Sequence, residues 1–213
     1  MKRLAIVGAG DLGLQLAHLA SATDNYRLVG FFDDTRQLHT EVGGAPVLGG
    51  VDAVVAAHDA EIFDVLLIGI GYRHLAFRHQ LYERFSGQIP FATVIHPSAI
   101  IDPGCEIGPG SVIYPGCVLD MGVTIGTNVL LNVGCVIAHD SRVGDSCFLS
   151  PAVKLAGFVR VEASSTLGIG TIVIDNVTIT SGVRTGAGAV VIDSITQPGL
   201  YLGVPAKFKR SLA

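Results

Sequence analysis

An aliphatic residue recurs at every sixth position over much of the C-terminal part of this chain. The series is unbroken and comprises Ile95, Ile101, Ile107, Ile113, Leu119, Ile125, Leu131, Ile137, Val143, Leu149, Leu155, Val161, Leu167, Val173 and Ile179. Neither an α-helix, with a period of about 3.6 residues, nor an ordinary strand, with a period of about two, produces this spacing. It is typical of a hexapeptide repeat, in which each short strand of a parallel β-helix points one large side chain into the coil. We therefore predict a parallel β-helix.

A second position of the repeat keeps the same phase. A small or β-branched residue follows each aliphatic residue by four positions, from Ala99 to Val183, as the tight corner of a narrow prism requires. Three six-residue faces make one coil, so residues eighteen apart should stack at strand spacing, about 4.7–4.9 Å. The four cysteines all occupy this position, which favours core packing over disulfides or zinc ligation: Cys105, Cys117, Cys135 and Cys147.

Residues 1–92 have a different sequence pattern, which predicts a small Rossmann-like α/β domain. Apolar strands alternate with helical stretches, as in a parallel sheet. The predicted strands are Leu4–Val7, Leu28–Asp33 and Val65–Gly69, and the predicted helices are Leu14–Ala22 and Leu75–Phe85. Residues 93–213 are assigned to the β-helix with a C-terminal tail, and the tail from Pro198 is predicted to form a loop and a short helix.

A glycine-rich turn separates the first strand from the first helix. Gly8, Gly10 and Gly13 match G-x-G-x-x-G, a turn that lets phosphate oxygens approach backbone N–H groups. Asp33 and Asp34 end the second strand, where a carboxylate can reach a ribose or a base. A nicotinamide dinucleotide and a nucleotide-sugar both fit. The α/β part supplies only one mononucleotide half, which favours the nucleotide-sugar.

His139 is the candidate base within the repeat. It lies two residues after the inward-pointing Ile137, so its side chain should point outward, and the adjacent Asp140 can orient the ring. Gly157 follows by eighteen residues and should stack one coil away, while Asn132 lies on the same coil as His139. A base, a backbone donor and a polar group together suit acyl transfer. The repeat does not supply the three histidines of a zinc site, so no metal is predicted.

The composition narrows the range of partners. A net charge of −4 argues against nucleic acid, which favours basic surfaces. No apolar run reaches the roughly 18 residues of a membrane span, so we expect no membrane partner and a cytoplasmic location.

Four segments together resemble one family. They are the glycine loop, Phe31–Asp34, the stretch from Asn132 to Gly157 that contains His139-Asp140, and Gly203–Lys207. The combination is similar to the bacterial left-handed β-helix acetyltransferases, which include bacillosamine and perosamine N-acetyltransferases and sialic acid O-acetyltransferases. The resemblance implies a left-handed helix, a homotrimer, acetyl-CoA as donor and an activated sugar as acceptor.

The resemblance also implies roles for individual residues. His139 corresponds to the catalytic base and Asp140 to its acidic neighbour, whereas the role of Gly157 as oxyanion donor is a hypothesis from its predicted stacking on His139. The implied acetyl-CoA contacts are Phe148, Gly157, Ile169 and Ala187, and the implied contacts to the nucleotide-sugar are Gly10, Asp33, Asp34 and Asn132. The first loop departs from the family pattern, because Asp11-Leu12 stands where many relatives have Gly-His.

The leading hypothesis is transfer of an acetyl group from acetyl-CoA to the amino group of a UDP-, dTDP- or GDP-linked 4-amino-dideoxy sugar. The alternative is an O-acetyltransferase that acts on sialic acid or a related sugar. A non-catalytic carbohydrate- or nucleotide-binding trimer is a third possibility, which the grouping of His139, Asp140 and Gly157 disfavours. An NAD oxidoreductase is least supported, because the second nucleotide half is missing.

Overall fold

The computed structural model describes residues 1–212, which divide into two compact units, Met1–His96 and residues 97–212. The first unit contains a five-stranded sheet in the order β3-β4-β2-β1-β5. Its strands are β1 (Lys2–Val7), β2 (Tyr26–Phe32), β3 (Glu41–Val42), β4 (Ala45–Gly49) and β5 (Val65–Ile68). All neighbours are parallel except β3 and β4. Since β2 and β5 lie on opposite sides of β1, the chain reverses its direction across the sheet at β1, where such sheets bind ligands.

Three helices accompany this sheet: α1 (Asp11–Ser21), α2 (Val54–Asp59) and α3 (Leu75–Ser86). Single 3₁₀ turns cover Val51–Ala53 and Tyr72–His74, and the unit ends with the short strand Val94–Ile95. All four residues of β5 are buried, and Phe32, Phe63 and Phe85 are part of the apolar core. The predicted small α/β domain is thus confirmed. The β3–β4 hairpin and α2 are additions that the apolar pattern did not predict.

The second unit winds two-residue strands around three faces. Face 1 comprises Ile100–Ile101, Val118–Leu119, Val136–Ile137, Lys154–Leu155, Ile172–Val173 and Val190–Val191. Face 2 comprises Glu106–Ile107, Thr124–Ile125, Arg142–Val143, Arg160–Val161 and Thr178–Ile179. Face 3 comprises Val112–Ile113, Leu130–Leu131, Phe148–Leu149, Thr166–Leu167 and Val183–Thr185, followed by Gly199–Leu202 and Lys207–Arg210.

The register between coils is eighteen residues, as the repeat predicts. On face 1, Val118 pairs in parallel with Ile100 and with Val136, and the other faces show the same offset. The aliphatic residue of each repeat is the second residue of its strand, and Ile137 and Leu149 at such positions have no exposed surface. The predicted parallel β-helix of hexapeptide repeats is therefore confirmed.

Four-residue corners connect the faces, and we call them first, second and third corners according to the face that they follow. The third residue of most corners has a positive φ, in the left-handed region that favours Gly, Asn and Asp. The series is Gly110, Gly116, Gly122, Asn128, Gly134, Asp140, Ser146, Ala152, Phe158, Ser164, Gly170, Asn176, Gly182 and Gly188. Phe158 is the single aromatic residue of this series. The small residue predicted four positions after each aliphatic is the fourth residue of the corner.

The C-terminal tail corrects one expectation. The short helix predicted after Pro198 is wrong, because Gly199–Leu202 pairs in parallel with Val183–Thr185, and Lys207–Arg210 returns antiparallel to it. An open strand edge at the end of a β-helix leaves backbone groups unpaired, and the tail satisfies them. The rings of Tyr201 and Phe208 pack edge to face, with centroids 5.6 Å apart. Among residues 1–212, no helix is long and apolar enough to cross a membrane.

Candidate active site

His139 lies in the first corner Ala138–Ser141, directly after the face 1 strand Val136–Ile137. Its side chain is 45% exposed, so solvent and substrates can reach the imidazole. The Nδ1 atom lies 3.0 Å from Oδ2 of Asp140. A carboxylate only accepts hydrogen bonds, so the neutral ring carries its proton on Nδ1 and keeps the lone pair on Nε2. This arrangement prepares Nε2 to act as a base.

The carboxylate that holds Nδ1 depends on the corner geometry. Asp140 has a φ of +56°, a conformation that Asp tolerates better than most residues. One coil earlier stands Gly122, and a Cβ there would lie 3.0 Å from Oδ1 of Asp140. The glycine therefore leaves room for the carboxylate beside the ring.

Gly157 packs against the opposite edge of the imidazole. A Cβ at this position would lie 2.7 Å from both Nε2 and Cε1 of His139, closer than any normal contact. The backbone of Gly157 lies outside the left-handed region, so the ring, not the φ angle, requires glycine here. Within residues 1–212, the Gly157 N–H has no hydrogen-bond partner. An unpaired donor beside the base suits an oxyanion that forms there.

Phe158 is a neighbour of His139 that sequence reasoning missed. The two rings pack at 90°, with centroids 5.1 Å apart, and the Phe158 N–H donates to the His139 carbonyl oxygen at 3.1 Å. The ring remains 52% exposed. A signal was available in the sequence, since an aromatic residue stands where the repeat otherwise places small or polar residues.

The first unit has a cavity at the carboxyl ends of its central strands. Its volume is about 160 Å³, and its lining includes Gly8 after β1, Asp33 and Asp34 after β2, and Ile70 after β5. Val7, Phe32, Thr35, Val51 and Phe77 complete the lining. The glycine-rich turn and the two acidic residues predicted from the sequence therefore lie close together.

The three glycines of the turn differ in whether the fold requires a glycine at their position. Gly8 has a φ of +100°, and a Cβ on Gly13 would lie 1.9 Å from the Gly8 carbonyl oxygen, so the fold itself requires both. Gly10, at the N-cap of α1, has nothing within 4 Å of a Cβ. The surface beside Gly10 is therefore open.

Asp33 is largely engaged within the protein. Its Oδ2 accepts from the Ala9 N–H at 2.8 Å, and its Oδ1 accepts from the N–H and hydroxyl of Thr35 at 2.8 and 2.6 Å. Burial raises the pKa of Asp33, but these hydrogen bonds outweigh burial and hold the pKa below its usual value. Oδ1 of Asp34 accepts from the Val51 N–H at 2.8 Å. Both carboxylates thus stabilise loops around the cavity.

The other predicted contacts lie away from the histidine corner. Asn132, Ile169 and Ala187 belong to third corners, and Ile169 stacks on Ala187 through the bond from the Gly188 N–H to the Ile169 carbonyl oxygen at 2.8 Å. Ile169 is 58% exposed, whereas Phe148 on face 3 is buried. Among residues 1–212, no group of three or more His, Cys, Asp or Glu side chains is arranged to hold a metal ion.

A hexapeptide β-helix with an oriented, exposed histidine base beside a backbone donor defines an acyltransferase of the hexapeptide-repeat class. Comparison with known proteins narrows this class. A model of the PglD N-terminal domain matches residues 3–85. UDP-N-acetylbacillosamine N-acetyltransferase from Bacillus subtilis (strain 168) is 38% identical over 113 residues, which cover 52% of this chain and 50% of that protein. The match thus spans about half the length of this curated relative.

Solved structures match over nearly the whole chain. The acetyltransferase domain of PglB from Neisseria gonorrhoeae superposes with a TM-score of 0.89 and 31% identity, over 97% of this chain and 99% of that one. PerB from Caulobacter crescentus, in complex with CoA and GDP-perosamine, superposes with a TM-score of 0.90 and 30% identity, over 99% and 98%. The chain belongs to the family of left-handed β-helix sugar acetyltransferases that includes the bacillosamine and perosamine N-acetyltransferases.

Proposed function

We propose that this protein transfers the acetyl group of acetyl-CoA to the amino group of a nucleotide-activated amino sugar, with His139 as the general base. The observation that carries the proposal is the arrangement around one imidazole. Asp140 holds Nδ1 at 3.0 Å, and Gly157, whose N–H is unpaired among residues 1–212, packs against the Nε2 edge of the ring. Relatives of this family support the choice of substrates, since PerB has been solved with CoA and GDP-perosamine and the PglB domain with acetyl coenzyme A.

The chemistry follows from these groups. The sugar amine attacks the thioester carbonyl carbon, and Nε2 of His139 accepts the proton that the amine loses. The Gly157 N–H donates to the oxyanion of the tetrahedral intermediate. The C–S bond then breaks, and the imidazolium returns the proton to the leaving thiolate, which yields the acetamido sugar and free CoA. General-base catalysis contributes about 10²–10⁴-fold and an oxyanion donor about 10²–10³-fold.

The first unit is proposed to bind the nucleotide. Its cavity of about 160 Å³ is smaller than the roughly 300 Å³ of a pocket that encloses a drug-sized ligand, so it suits one part of a nucleotide. The open surface at Gly10, at the N-terminus of α1, suits a phosphate. UDP-, dTDP- and GDP-linked 4-amino-dideoxy sugars are all candidates. A cytoplasmic location is proposed as well, which the use of acetyl-CoA as donor supports.

A homotrimer is proposed as the assembly. The outward side of face 1 is mostly apolar, with Ile100 68% and Ile172 44% exposed and with Lys154 as its one charged position. An apolar sheet face in water favours association, and a prism with flat sides can close around a three-fold axis. Sedimentation equilibrium should give three times the mass of one chain. A monomer with full activity would rule the trimer out.

The decisive experiment measures CoA release with a thiol reagent, in the presence of acetyl-CoA and a panel of acceptors. The panel pairs UDP-, dTDP- and GDP-linked 4-amino sugars with the corresponding 4-hydroxy sugars, and includes sialic acid. We expect turnover with at least one amino sugar and its loss with the matched hydroxyl compound. Turnover only with sialic acid or hydroxyl acceptors would establish the O-acetyltransferase instead. No turnover with any acceptor, despite binding, would favour a non-catalytic protein.

A further inference from the structure

Phe158 occupies a backbone conformation that is unfavourable for its side chain. Its φ of +59° lies in the left-handed region, where bulky L-residues are outliers. Most other corners place glycine or a short polar residue at the same position, for example Asp140 and Asn176 in the first corners one coil before and one coil after it. Strained residues of this kind persist where the surrounding structure uses the side chain, often at functional sites.

The contacts of Phe158 indicate what the side chain is used for. Its ring packs at 90° on the imidazole of His139, and its N–H donates to the His139 carbonyl oxygen. Asp140 holds Nδ1 and Gly157 packs against Nε2 and Cε1, so the Phe158 ring supplies the third contact to the imidazole. A half-exposed imidazole without a third contact could change its χ rotamer toward solvent.

We propose that Phe158 is a positioning residue, whose ring keeps the imidazole of His139 in the rotamer that places Nε2 beside the Gly157 N–H. The proposal rests on the proposed function, in which Nε2 is the general base. It explains why an aromatic ring that is 52% exposed, and so adds little apolar burial, stands at a corner that favours glycine.

The test is to substitute Phe158 with residues that the backbone prefers. Phe158→Gly and Phe158→Asn should lower kcat about tenfold or more, because the base leaves its productive rotamer, while the KM for acetyl-CoA stays within about twofold. Phe158→Tyr keeps the aromatic ring and should retain the wild-type kcat. The Tm of Phe158→Asn should not fall, because the relief of backbone strain offsets the lost contacts.

Ser164→Gly is the matched control. Ser164 has a φ of +57° in the following second corner, so the variant relieves the same kind of strain away from the imidazole, and kcat should not change. An unchanged kcat in both Phe158→Gly and Phe158→Asn would overturn the proposal. So would a loss of kcat accompanied by a fall of more than about 5 °C in Tm, since Phe158 would then serve the fold.

A second measurement does not depend on turnover. Diethyl pyrocarbonate modifies accessible imidazoles, and peptide mass spectrometry reports the rate at each histidine. The rate at His139, relative to that at the exposed His39, should rise several-fold in Phe158→Gly and stay at the wild-type level in Phe158→Tyr. An unchanged ratio in Phe158→Gly would refute the positioning role. If wild-type protein acetylates no sugar, the proposed function fails, yet this ratio still tests the contact.

Discussion

The tight packing of Gly157 on the imidazole leads to a quantitative prediction for Gly157→Ala. The new Cβ would lie 2.7 Å from Nε2 and Cε1 of His139, whereas ordinary contact begins at 3.4 Å, so the ring must move by about 0.7 Å. A misplacement of about 1 Å in a catalytic group costs about 10²-fold in rate. We therefore expect kcat to fall by about 30- to 100-fold. The alanine keeps the backbone N–H and adopts the native φ without strain, so the fold and the KM for acetyl-CoA should change little.

The assay is steady-state CoA release under saturating acceptor, with thermal unfolding measured in parallel. Gly87→Ala is the control, because a Cβ there has nothing within 4 Å and its backbone is also ordinary. The double variant His139→Ala/Gly157→Ala tests whether the added methyl group acts by displacing the imidazole. If it does, the methyl group should not lower kcat any further in a protein that already lacks the imidazole. A kcat within about threefold of wild type for Gly157→Ala, or a full second loss in the double variant, would refute the reasoning.

Three further predictions concern the base, the glycine turn and an ion pair. His139→Ala should lower kcat by about 10²-fold or more while calorimetry shows unchanged acetyl-CoA affinity, and near wild-type turnover would remove His139 from the mechanism. Gly13→Ala should lower the Tm, because its Cβ would overlap the Gly8 carbonyl oxygen. Gly10→Ala should fold normally and should lower the nucleotide affinity measured by titration. Equal Tm values for the two variants would contradict this difference. Arg3 donates to Asp64 through a 2.6 Å bond and lowers the pKa of Asp64 to about 2, so the ion pair contributes stability above about pH 4 that is lost as the pH falls toward 2. The stability gap between wild type and Asp64→Asn in urea should therefore close over that range, and a constant gap would count against the pair.

The β-helix was predictable because a single repeated constraint determines it. Each coil buries one aliphatic residue per face, so the period of six and the eighteen-residue register follow from the sequence alone. The stacking of Gly157 on His139 follows from the same register. The period also separates Asn132 from His139, because residues seven positions apart fall at successive corners. The proximity of Asn132 to the base in sequence therefore did not make it a neighbour in space.

Other features depend on contacts that no local pattern encodes. The hydrogen bonds that three donors of Ala9 and Thr35 make to Asp33 form only once the sheet is assembled, whereas its role toward a nucleotide-sugar stays a prediction. Phe148 points outward by the parity of its strand and is nevertheless buried. The tail is strand rather than helix because the last coil leaves an unpaired edge. In each case the decisive partner is distant in sequence or exists only after folding.

Because every coil has the same height, whole coils can be added to or removed from this β-helix in equal steps. Duplication or deletion of one whole coil before His139 would move the reaction centre along the prism axis by a single step of about 4.8 Å, and Asp140, Gly157 and Phe158 would move with it unchanged. A change in coil number could thus shift the histidine corner along the coil axis without any change in the residues around it.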